Sequence, residues 1–106
     1  MTIKTRSLVV LAAVVSLAGS LSFAQSGAEA TYKAKCQMCH GAAGAADTPT
    51  AKMMKVKPVS DPDVKKLSVA EMITATTDGK GKMPAFKGKL SDAEIKDVVT
   101  YFHSLK

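Results

Sequence analysis

Cys36-Gln37-Met38-Cys39-His40 holds both cysteines of the 106-residue chain and one of its two histidines. If this segment is helical, residues three and four apart share a face, so Cys36, Cys39 and His40 project together. Helicity has its own support. Ser26 and Glu29 stand at capping-box spacing, which satisfies free backbone donors from both directions at a helix start, and an alanine-rich stretch follows. The first helix is therefore expected from about Gly27 to Cys39. Tyr32, one turn before Cys36, falls on the same face and reads as an inward packing residue.

The Cys-x-x-Cys-His pattern is that of covalent c-type haem attachment, in which two thioether bonds hold one porphyrin edge while the histidine reaches under the ring to the iron. Three rival readings are weaker. A thioredoxin-like redox pair belongs in a βαβ setting, and nothing in the chain has parallel-strand patterning. A structural zinc site needs four ligands, and after these three residues only His103 remains, with no further cysteine. A structural disulfide would close a very short loop for little entropic gain and would leave His40 unexplained.

A six-coordinate haem iron needs a second axial ligand. The candidates are His103, Met38, Met53, Met54, Met72 and Met83. Met83 sits in Gly79-Lys80-Gly81-Lys82-Met83-Pro84, where two glycines permit close approach of the backbone to a flat ligand and the proline biases Met83 towards an extended conformation. That describes a strap across a haem face. Met38 points elsewhere on its helix, and Met72 takes an inward helical position as a core residue. Met53 and Met54, in a lysine-bearing stretch without clear periodicity, stay open as pocket lining or ligand. His103, near the chain end on a helix, reads first as a partly solvated histidine and second as a ligand.

Cys36 to Gly41, Gly79 to Phe86 and Leu90 to Leu105 together resemble a small bacterial class I c-type cytochrome across nearly the whole chain that follows residue 24. The resemblance implies an N-terminal helix with the haem motif crossing a C-terminal helix, one haem edge exposed, and axial ligation by a histidine and a Met-Pro methionine. Those roles fall on Cys36, Cys39, His40 and Met83, with Tyr32 and Tyr101 as the aromatic pair at the crossing. It also offers the Pro49 carbonyl as the partner that fixes the imidazole tautomer. The chain departs from the family in having no tryptophan and, compared with mitochondrial members, a short stretch between His40 and Gly79, so the propionate contacts do not carry over.

Other start signals agree with an all-α cytochrome c fold of three to four short helices around one covalently bound haem. Ser68 and Glu71 form a second capping box, with Leu67 and Met72 as a hydrophobic staple, opening a helix that ends near Asp78-Gly79. Ser91 and Glu94 form a third, stapled by Leu90 and Ile95. In that last helix Ile95, Val98, Val99, Phe102 and Leu105 recur at helical spacing as one apolar stripe for the first helix and the haem. Asp61-Pro62 marks a short helical turn, and His40 to Lys57 reads as loop.

At the start of the chain, Lys4 and Arg6 precede an apolar run, Leu8 to Ala18, and Ser22-Phe23-Ala24 sets small residues at both cleavage positions. Residues 1–24 are thus expected to be a cleaved signal and 25–106 the haem domain. The run falls short of the ~20 residues that span a bilayer. Loss of Lys4 and Arg6 lowers the net charge from +6 to +4. A domain this small gains from a staple such as a covalent cofactor.

The expected function is one-electron transfer in the periplasm by a monomer carrying one haem c, without enzymatic activity. A haem enzyme or a gas or peroxide sensor with an open distal position is the alternative. Lys80, Lys82, Lys87 and Lys89 bracket the strap and Lys33 and Lys35 flank the attachment helix, a pattern suited to acidic redox partners. Nucleic-acid binding lacks a basic helix or motif.

Overall fold

A computed structural model describes residues 18–105 of the protein. Residues 1–17, most of the expected signal, lie outside the described residues. The described chain is helical: α1 Ala18–Lys35, α2 Gln37–His40, α3 Pro49–Met54, α4 Pro62–Lys65, α5 Val69–Asp78 and α6 Asp92–Ser104. Two isolated bridges, Lys80 with Met83 and Lys87 with Leu90, tie the segment between α5 and α6. The all-α class holds, with six helical segments where the sequence suggested three to four.

The first helix differs from expectation at both ends. It runs through Ser26 instead of beginning behind it, and Glu29 pairs with Lys33 at 3.1 Å. With residues 18–25 attached upstream, as in the uncut chain, extending a helix costs less than nucleating one, so Ser26 is not a terminus here. At the other end the helix breaks at Cys36, whose φ of −117° and ψ of −34° depart from the helical mean. The Cys36 amide still donates to the Tyr32 carbonyl at 2.9 Å and the His40 amide to the Cys36 carbonyl at 3.0 Å. α2 is therefore a kinked continuation of α1, and Cys36, Cys39 and His40 keep one side.

The other predicted starts form as read. Ser68 and Ser91 each accept from the backbone of the third helical residue, while Glu71 and Glu94 accept from the capping serine's amide. Asp61 caps α4, accepting from the Asp63 amide at 2.8 Å. The loop expected from His40 to Lys57 instead contains α3. Thr48 caps it, Pro49 occupies its first turn, and Lys55 closes it in the left-handed region at φ 56°. Thr48 also donates to the Met38 carbonyl at 2.7 Å, fastening α3 to α2.

Packing follows the apolar stripe of α6. α1 and α5 both lie on this helix, whose Ile95, Val98 and Val99 are buried. Met72, Phe86, Ile95 and Val99 form one core cluster, with Leu67, Leu90, Met83 and Phe102 packed against it. Both staples thus reach the core. At the α1–α6 crossing Tyr32 is 1% exposed, with its ring 5.3 Å from Tyr101 and 6.3 Å from Phe102. The aromatic pair implied by the resemblance is in place.

Candidate haem site

The break at Cys36 and the end of α2 deliver three side chains to one hollow. Gly41 terminates α2 with φ 83° and ψ 159°, backbone that only glycine adopts readily, and the chain then turns away. Tyr32 donates its hydroxyl to the Gly41 carbonyl at 2.5 Å, tying the residue after His40 to the helix crossing. The Phe102 ring meets the His40 imidazole edge-on at 5.0 Å.

Two cavities open here, of about 580 and 490 Å³, and both are lined by Cys36, His40, Lys55, Val56, Lys80 and Met83. The larger extends across apolar side chains of α5 and α6, including Met72, Val98, Val99 and Phe102, towards α4. The smaller adds Cys39, Met54, Pro84 and Phe86. Cys36, Cys39, His40 and Met83, separated by more than 40 residues of chain between the outer two, thus border one space. The stripe of α6 serves as core on one flank and as cavity wall on the other.

The chemical state of these residues suits a bound haem. The His40 Nδ1 is buried and, among the described residues, has no hydrogen-bond partner, so no protein group competes for the ring there. Burial lowers the imidazole pKa, so the neutral form that ligates metal is favoured. Burial first, and then Cys39, pushes the Cys36 thiol up to about 11. That is the opposite of the depressed thiol of a redox pair. No disulfide joins Cys36 to Cys39. A porphyrin fits this donor set: an apolar hollow, two thiols, an uncharged imidazole and a thioether.

Met83 is half-buried on the segment between α5 and α6. Its amide donates to the Lys80 carbonyl at 3.0 Å and its carbonyl accepts from the Lys80 amide at 3.1 Å, closing a tight strap. Gly79 starts the strap at φ 79° and ψ 160°. A Cβ there would stand 2.9 Å from both the Ala85 nitrogen and the Met83 oxygen. The glycine is needed because the strap folds onto itself, a different reason from close approach to a ligand. Gly81, by contrast, has open space around it.

The remaining candidates separate by position. Met72 is buried in the core, as expected, and also touches the larger cavity. Met38 and Met53 are 73% and 74% exposed and line neither cavity. Met54 borders the smaller one. His103 is exposed at the end of α6 and away from both. Pro49 does not satisfy His40: it opens α3 and faces a separate cleft with Met38 and Thr48. Sequence reading missed Lys55, Val56 and the α4 residues as lining. The Thr48-Pro49 start signal was available to find α3, but a six-residue helix shows no periodicity.

Residues 24–102 match the family model described as "Cytochrome C oxidase, cbb3-type, subunit III". The chain is also 39% identical over 70 residues to cytochrome c6 of Leptolyngbya boryana, a match covering 66% of this chain and 79% of the relative. The chain belongs to the cytochrome c family. Its relatives are the small monohaem class I members, among them cytochrome c-551 of Halorhodospira halochloris, 35% identical over 69 residues that cover 65% of this chain and 80% of the relative. Among solved structures, the KustC0563 c-type cytochrome superposes with a TM-score of 0.68 at 26% identity, covering 74% of this chain and 96% of that one. This cytochrome carries one covalently attached haem c and transfers electrons with redox partners. Among the described residues no helix is long and apolar enough to cross a membrane.

Proposed function

We propose that this cytochrome is a periplasmic, monomeric one-electron carrier in which Cys36 and Cys39 form the thioether bonds and His40 and Met83 the two axial ligands. The observation that carries the reading is the convergence of all four side chains on one cavity. When bound, the haem supplies a ferric–ferrous couple, whose potential a methionine ligand raises.

The chain's own residues do the rest. Phe102 meets the His40 ring, Tyr32 backs Phe102 and bonds the Gly41 carbonyl next to His40, and burial favours the uncharged imidazole. Val98, Val99 and Met72 exclude water from one flank. With both axial positions filled, no site is open for a small substrate, so the chain has no enzymatic role. Cys39, Met54 and Pro84 border the smaller opening, where a partner would approach the cofactor edge.

Charge directs that approach. Lys35, Lys55, Lys80 and Lys82 line the same opening, and among the described residues none of them pairs with a carboxylate. Such a rim attracts acidic partners. The rate of reduction by an acidic redox protein should fall steeply as salt rises from low ionic strength; a flat profile would remove the steering.

The ligand set is tested by the optical spectrum of the oxidised holoprotein. The far-red methionine–iron charge-transfer band should be present and should vanish in Met83→Ala while the haem stays covalently bound. A band that survives the substitution would exclude Met83.

A further inference from the structure

Haem c has two unlike edges. The thioethers grow from the edge that carried the vinyl groups, and two propionate carboxylates leave the other side of the ring. The two cavities show a matching asymmetry. Cys39 borders only the smaller, whereas Lys57, Asp63 and Lys66 border only the larger, where it reaches α4 and the segment before it.

Resting on the reading that Cys36 and Cys39 hold the vinyl edge, we propose that Lys57 and Lys66, braced by Asp63 between them, form the haem propionate site of this chain. Lys57 Nζ lies 2.6 Å from Asp63 Oδ2 and Lys66 Nζ lies 3.4 Å from Asp63 Oδ1, so one carboxylate holds two ammonium groups on its separate oxygens. An ammonium has three donors. After one is spent on Asp63, each lysine has two left for a further oxygen.

The trio carries a net positive charge. Lys55 and Lys80, which line both cavities, add to it, and among the described residues Asp63 is the sole carboxylate along the larger cavity. The brace has a fixed base, since Asp61 holds the Asp63 amide at 2.8 Å and the Lys66 amide closes α4 on the Pro62 carbonyl at 3.1 Å. Stability does not explain the arrangement: all three side chains are more than half exposed, and such surface pairs contribute little to folding. An anionic edge facing them would use it.

The test is resonance Raman spectroscopy of the holoprotein, reading the propionate-bending band, whose frequency follows hydrogen bonding to the carboxylates. Lys57→Gln and Lys66→Gln should each shift the band, and the double variant should shift it further. Lys87→Gln, at a lysine that lines neither cavity, should leave it in place. Asp63→Asn keeps both ammonium groups and frees them from their competitor, so its band should move opposite to that of Lys57→Gln. The exposed positions make loss of folding in the single variants no obstacle. A band at the wild-type frequency in both single variants overturns the proposal. Covalent haem staining and the far-red band, read on the same samples, keep the two questions apart: their absence from the unsubstituted protein would sink the ligand reading instead.

Discussion

The segment carrying His40 and the strap carrying Met83 border the same cavity but are held in different ways. His40 follows a kinked helix whose Tyr32 is fully buried between Tyr101 and Phe102 and bonded to Gly41. Met83 is half-buried, on a strap closed by two backbone hydrogen bonds and anchored through Phe86, whose amide donates to the Thr76 carbonyl at 2.9 Å. One side is secured by side-chain packing between two helices, the other by local backbone geometry. Each nonetheless turns on a glycine in the same region of backbone space, Gly41 at 83° and 159° and Gly79 at 79° and 160°. The lesson is that the histidine side should fail together with the fold, whereas the methionine side can fail alone.

Tyr32→Ala should break the histidine side with the largest effect. Removing a fully buried aromatic ring costs about 3–5 kcal/mol, and denaturant unfolding of the holoprotein should register that loss. A cost below 1 kcal/mol would mean that the α1–α6 crossing does not secure His40. Next is Gly79→Ala, which forces a side chain into glycine-only backbone at about 1–3 kcal/mol and crowds Met83 and Ala85. Here the far-red band should weaken or vanish while covalent haem persists. An unchanged band would show that the strap does not depend on this turn.

The smallest effect belongs to a position remote from both ligands. Ser91→Ala removes one half of the α6 capping box and should cost about 0.5–1 kcal/mol in thermal unfolding, with the spectrum unaltered. The same box sets a sign for pH. Hydrogen bonds from Ser91 hold the Glu94 carboxyl below its ordinary value of 4.5. Its contribution is therefore complete above that value and is lost as pH falls through the lowered folded one. Glu94→Gln, which has no carboxyl to protonate, should lose less stability over that acid range than the parent; equal losses would count against the box.

Local chemistry in the sequence was sufficient for several features. The spacing of Cys36, Cys39 and His40 gave the attachment motif, because helical periodicity is a property of neighbours. The pairs Ser68 with Glu71 and Ser91 with Glu94 marked the starts of α5 and α6, since a capping box closes within one turn. Met83 stood out through its glycines and Pro84. Ser26 does not act as a box in the uncut chain, because that pairing works only where a helix begins and here helix continues upstream from Ala18.

Other features depend on residues far apart in the chain, and only the tertiary structure decided them. The lining of the cavity by Lys55 and Val56 follows from where α3 comes to rest against α2. That Pro49 faces away from His40, and that Phe102 meets its ring, depends on how the helices cross. The joining of Lys57 and Lys66 through Asp63 requires the chain before α4 to fold back alongside it. Sequence by itself determined what lies within a turn or two of each residue, because those geometries are set by backbone stereochemistry. Which distant surfaces share a cavity was decided by packing, which sums many weak contacts that no short segment contains.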